Sequence, residues 1–188
     1  MADSVTVPLI KEHAKLRERL GELKAFLLRF DLAGLRKVIR EIKDMLEPHH
    51  LKEEAVLYLI GMKFLKADNQ RLPGLFKEHH QTMARLNTLC GLLYSGRLTD
   101  GEDQIQQLCF VIVESLDHHM TEEEEIVYPA LEKLIDPQTK ELIISRYQSI
   151  AGNEFDEFDR APLISMPDMG GDGTFGTNPQ TMNKPTGP

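Results

Sequence analysis

His49-His50-Leu51-Lys52-Glu53-Glu54-Ala55-Val56-Leu57-Tyr58 is echoed 70 residues later by His119-Met120-Thr121-Glu122-Glu123-Glu124-Glu125-Ile126-Val127-Tyr128. In each copy a histidine precedes a glutamate by four residues, which stacks the two side chains one helical turn apart on one face. Around the first copy, Leu35, Ile39, Ile42, Leu46, His49, Glu53, Val56 and Ile60 share the face of a helix that Asp31 can cap. A bend is expected at Pro48, which removes the bond to the Asp44 carbonyl. Around the second, Ile105, Leu108, Ile112, Leu116, His119, Glu123, Ile126 and Ala130 form the inner face of a helix opened by a Thr99–Glu102 capping box.

Two more long helices carry the same logic. Leu9, His13, Leu16, Leu20, Leu23 and Leu27 recur at helical spacing, as do Leu72, Phe76, His79, Met83, Leu86, Cys90 and Leu93 in a helix starting near Pro73. Glu12-His13 and Glu78-His79 repeat at an offset of 66, so the chain reads as two related helical hairpins. Asp136-Pro137 opens a short fifth helix with Leu142, Ile143, Tyr147 and Ile150. No period-2 pattern appears and the connections are short. The expectation is an all-α, up-down antiparallel four-helix bundle over residues 1–150.

Residues 151–188 have another character, with six acids against two bases and a run of glycine, proline, threonine and asparagine at the end. Such a segment cannot bury enough surface to offset its ordering entropy, and a disordered tail is predicted. The 188-residue chain has a formal charge of −8, which disfavours nucleic acid and anionic membrane surfaces as partners. No stretch approaches the ~20 apolar residues of a membrane span, and the first residues lack the pattern of a secretory signal. Two cysteines, Cys90 and Cys109, make no disulfide framework; buried free thiols in a reduced, cytoplasmic setting are expected, with a redox pair as the alternative.

All seven histidines fall on the four long helices. His13, His49, His79, His119, Glu53 and Glu123 lie on the apolar stripes, whereas His50, His80, His118, Glu54 and Glu122 fall off them and read as solvated, with His80 the alternative to His79 if its helix is rotated. Buried carboxylates cost several kcal/mol each when unpaired, and no Lys or Arg shares the stripe at that level. A cation is expected, a metal-free network of His–Glu pairs being the alternative, and imidazole with carboxylate suits iron, zinc or manganese. Six donors exceed one tetrahedral ion but fit two ions bridged by carboxylates. Tyr58 and Tyr128 are expected to pack, with hydrogen bonding to the site or filling of an open position as alternatives. Met83 reads as core filler, and no Ser/His/Asp, Cys/His or phosphate-loop arrangement is evident.

The order His13, His49-x-x-x-Glu53, His79, His119-x-x-x-Glu123, each pair followed by a tyrosine, resembles the hemerythrin-like (HHE cation-binding) family over roughly residues 6–150. The resemblance implies a non-haem di-iron centre, two iron ions with an oxo or hydroxo bridge, carboxylate-bridged by Glu53 and Glu123. His13 and His49 would hold one iron, His79 and His119 the other, with O2, NO or peroxide as the small-molecule ligand. Oxygen carriers of the family have a fifth histidine on the third helix, where this chain has Leu75 and Met83, and end the last motif with an aspartate where it has Glu124. The second iron is therefore expected to be short of a protein ligand. Oxygen binding or sensing, detoxification of peroxide or NO, and iron sensing or delivery are the functions to separate.

Overall fold

The computed structural model describes residues 4–64, 71–95 and 101–151, all in helices or the short turns between them. Helix α1 (Val7–Leu28) turns through three residues into α2 (Leu32–Lys52). Asp31 caps α2 as expected, accepting from the Gly34 N–H at 3.0 Å, and Phe30 takes a positive φ of 47° at the corner. A Cβ at Gly34 would fall within 2.6 Å of three atoms of the Phe26 ring, so a side chain there would have to displace that ring. Helix α2 runs through Pro48 without interruption and passes, via a π-helical stretch (Glu53–Tyr58), into α3 (Leu59–Phe64). Helix α4 (Arg71–Tyr94) is followed by α5 (Glu102–Glu122), a second π-helical stretch (Glu123–Val127) and α6 (Tyr128–Leu134). Helix α7 (Pro137–Ala151) is the fifth helix, its first turn held by Asp136 accepting from Thr139. Thr99 and the tail from residue 152 lie outside the described residues, and the N-cap of α5 is Gly101, without a side-chain bond.

Helix α1 packs on α2 and α5, α4 packs on α5 and α2, and α7 lies across α2 and its π-helical extension. The result is a helical bundle with two apolar clusters. One gathers Leu16, Leu20, Leu35, Ile39, Leu86, Leu89, Ile112 and Leu116, among others. The second gathers Leu9, Val56, Leu57, Leu72, Leu75, Val127, Leu131 and Ile143, among others. Each buried leucine or isoleucine contributes ~2 kcal/mol, so these clusters offset the layer of polar groups between them, which lies at His13, His49, His79 and His119 along the four helices. Among the described residues, no helix is long and apolar enough to cross a membrane.

The π-helical stretches correct the predicted inner face. Five residues along an α-helix turn a side chain about 140° from its start, so Tyr128 would leave the face of Glu123. The wider turn admits one extra residue, and both are buried. The stripe slips by one beyond it: Val127 is 3% exposed whereas Ile126 is 46% exposed, and Leu131 rather than Ala130 is buried. In the first repeat Val56 and Ile60 stay inside, joined by Leu57 and Tyr58, because α7 covers the other side. On α4, Leu75, Thr82 and Leu89 are buried where Phe76, Met83 and Cys90 were expected, and those three are only half-buried.

One polar knot ties the ends of the bundle together. Glu132 accepts from the Ser4 hydroxyl at 2.6 Å, from the Thr6 N–H at 3.0 Å and from Lys140 of α7. Burial alone would raise its carboxyl, but the Lys140, Ser4 and Thr6 hydrogen bonds hold it down to about 2. Its contribution is therefore present above about pH 4.5 and lost as pH falls toward 2. Glu132→Ala is expected to cost about 2 kcal/mol by urea denaturation at pH 7, with the gap to the parent shrinking on acidification through that window.

Candidate metal centre

The six inward residues of the four long helices converge. His13 of α1 and His49 of α2 bring their Nε2 atoms to 2.9 Å, and His79 of α4 and His119 of α5 bring theirs to 2.8 Å. Glu53 and Glu123, both fully buried, lie between the two pairs. Glu53 Oε1 is 3.4 Å from His49 Nε2 while its Oε2 is 3.4 Å from His79 Nε2. Glu123 Oε2 is 3.3 Å from His13 Nε2 while its Oε1 is 3.4 Å from His119 Nε2. Each carboxylate thus spans both histidine pairs. His13, His49, Glu53 and Glu123 form one group of four donors able to hold a metal ion, and Glu53, His79, His119 and Glu123 form another. His79 faces inward, whereas His80 and His118 are exposed.

The outer nitrogens fix the rings. Nδ1 of His13 faces Glu124 at 2.8 Å, that of His49 faces Glu12 at 3.0 Å, that of His79 faces Glu54 at 2.7 Å and that of His119 faces Glu78 at 2.8 Å. A carboxylate only accepts, so each Nδ1 donates and each neutral ring turns an Nε2 lone pair inward. Two such lone pairs 2.8–2.9 Å apart repel unless a proton or a metal ion lies between them. Two nitrogen ligands about 2.1 Å from one ion and at right angles would stand about 3.0 Å apart, which matches both pairs. Glu53 Oε2 is buried without a hydrogen-bond donor among the described residues, as suits an oxygen that ligates a cation.

Electrostatics agree. Burial, and then the charge of Glu123, hold the Glu53 carboxyl well above the usual carboxylate range. Burial likewise lowers His49, His50 and His79 below the usual imidazole value, so these rings stay neutral and available as donors. Burial alone would lower His119 too, but the Glu78 hydrogen bond and the charge of Glu123 raise it. Tyr128 donates to Glu53 and lies 3.3 Å from His13 Nε2, and Tyr58 donates to Glu123. The rings stack at 5.7 Å on His13 and 5.8 Å on His79 respectively, so the arrangement has an approximate twofold symmetry. Burial and the neighbouring carboxylates push both phenols well above their usual value, a shift a multivalent cation would reverse.

Sequence reasoning missed several of these groups. The tyrosines are buried as expected, and it is the alternative of hydrogen bonding to the site that the structure adds, with both phenol oxygens on the shared carboxylates. The half at His79 has the same kinds of protein donors as the half at His13, two histidines and the two shared glutamates. Glu54 falls off the inner stripe and Glu12, Glu78 and Glu124 are no part of it, yet each leans from its helix edge to a histidine of a neighbouring helix. The repeats of Glu-His and Glu-Glu were the available signal. His50 corrects the solvated reading: it is 6% exposed, its ring lies flat on His79 at 3.8 Å, and its Nε2 has no partner. The single extra position between His49 and Leu51 is inside because α2 is covered by α4 on that flank. Cys90 and Cys109 are free thiols among the apolar side chains, and burial lifts Cys109 to about 11, which makes it inert.

A helical bundle with buried, carboxylate-backed histidine pairs defines a class of cation-binding proteins. The hemerythrin HHE cation-binding domain matches residues 6–131, and the chain belongs to that family. No curated protein and no solved structure is significantly similar to the chain.

Proposed function

We propose that the protein is a non-haem di-iron protein that binds O2, or another small ligand such as NO or peroxide, at a carboxylate-bridged centre. The four long helices are read as an up-and-down antiparallel bundle. His13 and His49 would hold one iron, His79 and His119 the other, with Glu53 and Glu123 giving one oxygen to each and Tyr128 and Tyr58 within reach as further oxygen donors. The observation that carries this reading is the pair of inward-facing imidazole couples across two shared, fully buried carboxylates. Iron, when bound, would supply the electrons and the open coordination that a diatomic ligand needs. The chain does the rest: apolar clusters on both sides exclude water, the outer glutamates keep the imidazoles oriented, and Tyr58 and Tyr128 hold protons at phenol oxygens beside the shared carboxylates.

Those two phenols favour a second reading, turnover of peroxide or NO, because each holds a proton beside the shared carboxylates where a reacting ligand would accept it. One preparation separates the readings. Ferrous iron is added anaerobically until uptake stops, and the absorption spectrum is followed while O2 is admitted and removed. A band that appears with O2 and vanishes on its removal supports binding. No such band, together with steady consumption of peroxide at constant iron content, supports turnover. Uptake of well under two iron ions per chain would refute both.

A further inference from the structure

We propose that the two cation positions are unequal, the one at His79 and His119 taking up the first ion while Arg17 and Lys52 hold back the second. The inference rests on the two-ion reading above and deepens it. The inner donors are matched across the pseudo-twofold, so they give no reason for a difference. The layer behind them does. At His49, the outer Glu12 is bonded by Lys52, a lysine almost wholly buried. At His13, the outer Glu124 is bonded by Arg17 at 2.7 Å, whose other edge reaches the exposed Asp117 at 3.4 Å. Both outer carboxylates of this half are therefore capped by a cation.

The other half has none. Glu54 behind His79 and Glu78 behind His119 carry no lysine or arginine among the described residues. The repeat shows why. At the 66-residue offset that relates His13 to His79, the position of Arg17 is taken by Met83. At the 70-residue offset that relates His49 to His119, the position of Lys52 is taken by Glu122, which pairs outward with Arg71. A cation that binds at His79 and His119 thus meets two outer carboxylates that only the exposed, titratable His80 and His118 approach, and these carboxylates make the imidazoles better donors. One that binds at His13 and His49 meets carboxylates whose charge is already spent on Arg17 and Lys52, and it is further opposed by those two positive charges.

The test uses the full chain, stripped of metal and titrated anaerobically with Fe(II) in a calorimeter, with bound iron counted at the end. The expected result is two steps whose dissociation constants differ by at least about tenfold, the scale on which outer partners tune metal affinity. His79→Ala should remove the tighter step and His13→Ala the weaker one. Arg17→Met combined with Lys52→Gln should tighten the second step until the two lie within about threefold. If a histidine variant fails to fold, as judged by helical circular dichroism, Met83→Arg serves instead: a cation brought toward Glu54 should weaken the first step. A single step in the parent, a split untouched by the Arg17/Lys52 double variant, or loss of the tighter step in His13→Ala would overturn the inequality alone. Binding of fewer than two ions would overturn the two-ion reading, and the inequality with it.

Discussion

Glu53→Gln is expected to empty both cation positions while leaving the metal-free fold at least as stable as the parent. The carboxylate touches both histidine pairs, through Oε1 on one side and Oε2 on the other, so a single substitution removes a donor from each. Substitution of groups that only orient a ligand costs about 10–100-fold in affinity, and loss of a shared anionic ligand should exceed about 100-fold for both ions. Metal analysis after desalting should fall from about two ions per chain to a small fraction of one. Without metal the sign reverses. Glu53 and Glu123 are like-charged, buried and pressed together, which is why burial and the charge of Glu123 raise the Glu53 carboxyl. Glutamine keeps the shape, still accepts from Tyr128 and removes the repulsion. A purely structural Glu53 would behave otherwise, its replacement lowering stability with and without metal alike. His118→Ala, at an exposed position, should retain full metal content.

Removal of metal is expected to lower the melting temperature of the parent by about 10 °C or more. An ion present at about 1,000 times its dissociation constant stabilises by about 4 kcal/mol, and each kcal/mol moves a domain of this size by about 2–4 °C. The stripped chain should also become acid-sensitive. Burial depresses His49, His50 and His79, so their stabilising contribution is full above the unfolded value of 6.5 and is lost as pH falls below it. Glu53, with its folded value raised above 4.5, works in the opposite direction, holding a proton that the unfolded chain lacks. His119 and Glu54, whose folded values are also raised, oppose the three histidines in the same way, so stability is expected to fall between pH 7 and 5 by the excess of the histidine contribution over these three groups. Urea denaturation at pH 7, 6 and 5, with and without a chelator, measures this. Bound metal should hold the histidines neutral and delay the loss to a lower pH, at which metal release and unfolding coincide. Equal melting temperatures with and without metal would contradict the cation-bridged site.

The inner donors were legible because a periodic pattern is a local property. His13, His49, His79 and His119 share a stripe with leucine and isoleucine, and a polar residue on an apolar face signals its own burial. Glu53 and Glu123 follow from a four-residue spacing that holds in any α-helix. The tyrosines and the outer glutamates were not legible in the same way. Tyr58 and Tyr128 reach the site only because the helix widens by one residue after each glutamate, and an α-helical period places them off the face. Glu124 serves His13, and Glu54 serves His79, across gaps between helices far apart in the chain.

What the amino-acid sequence determined by itself is the helical class, the two-hairpin repeat and the six donors, because side-chain periodicity and the cost of burying charge act within one helix. Only the tertiary structure decided which imidazole faces which, that His50 lies inside against His79, and that Arg17 and Lys52 stand behind one half of the centre while no lysine or arginine among the described residues pairs with the outer glutamates of the other. Those relations join residues of different helices, and the distances between helices are set by packing, which no pattern along one helix encodes.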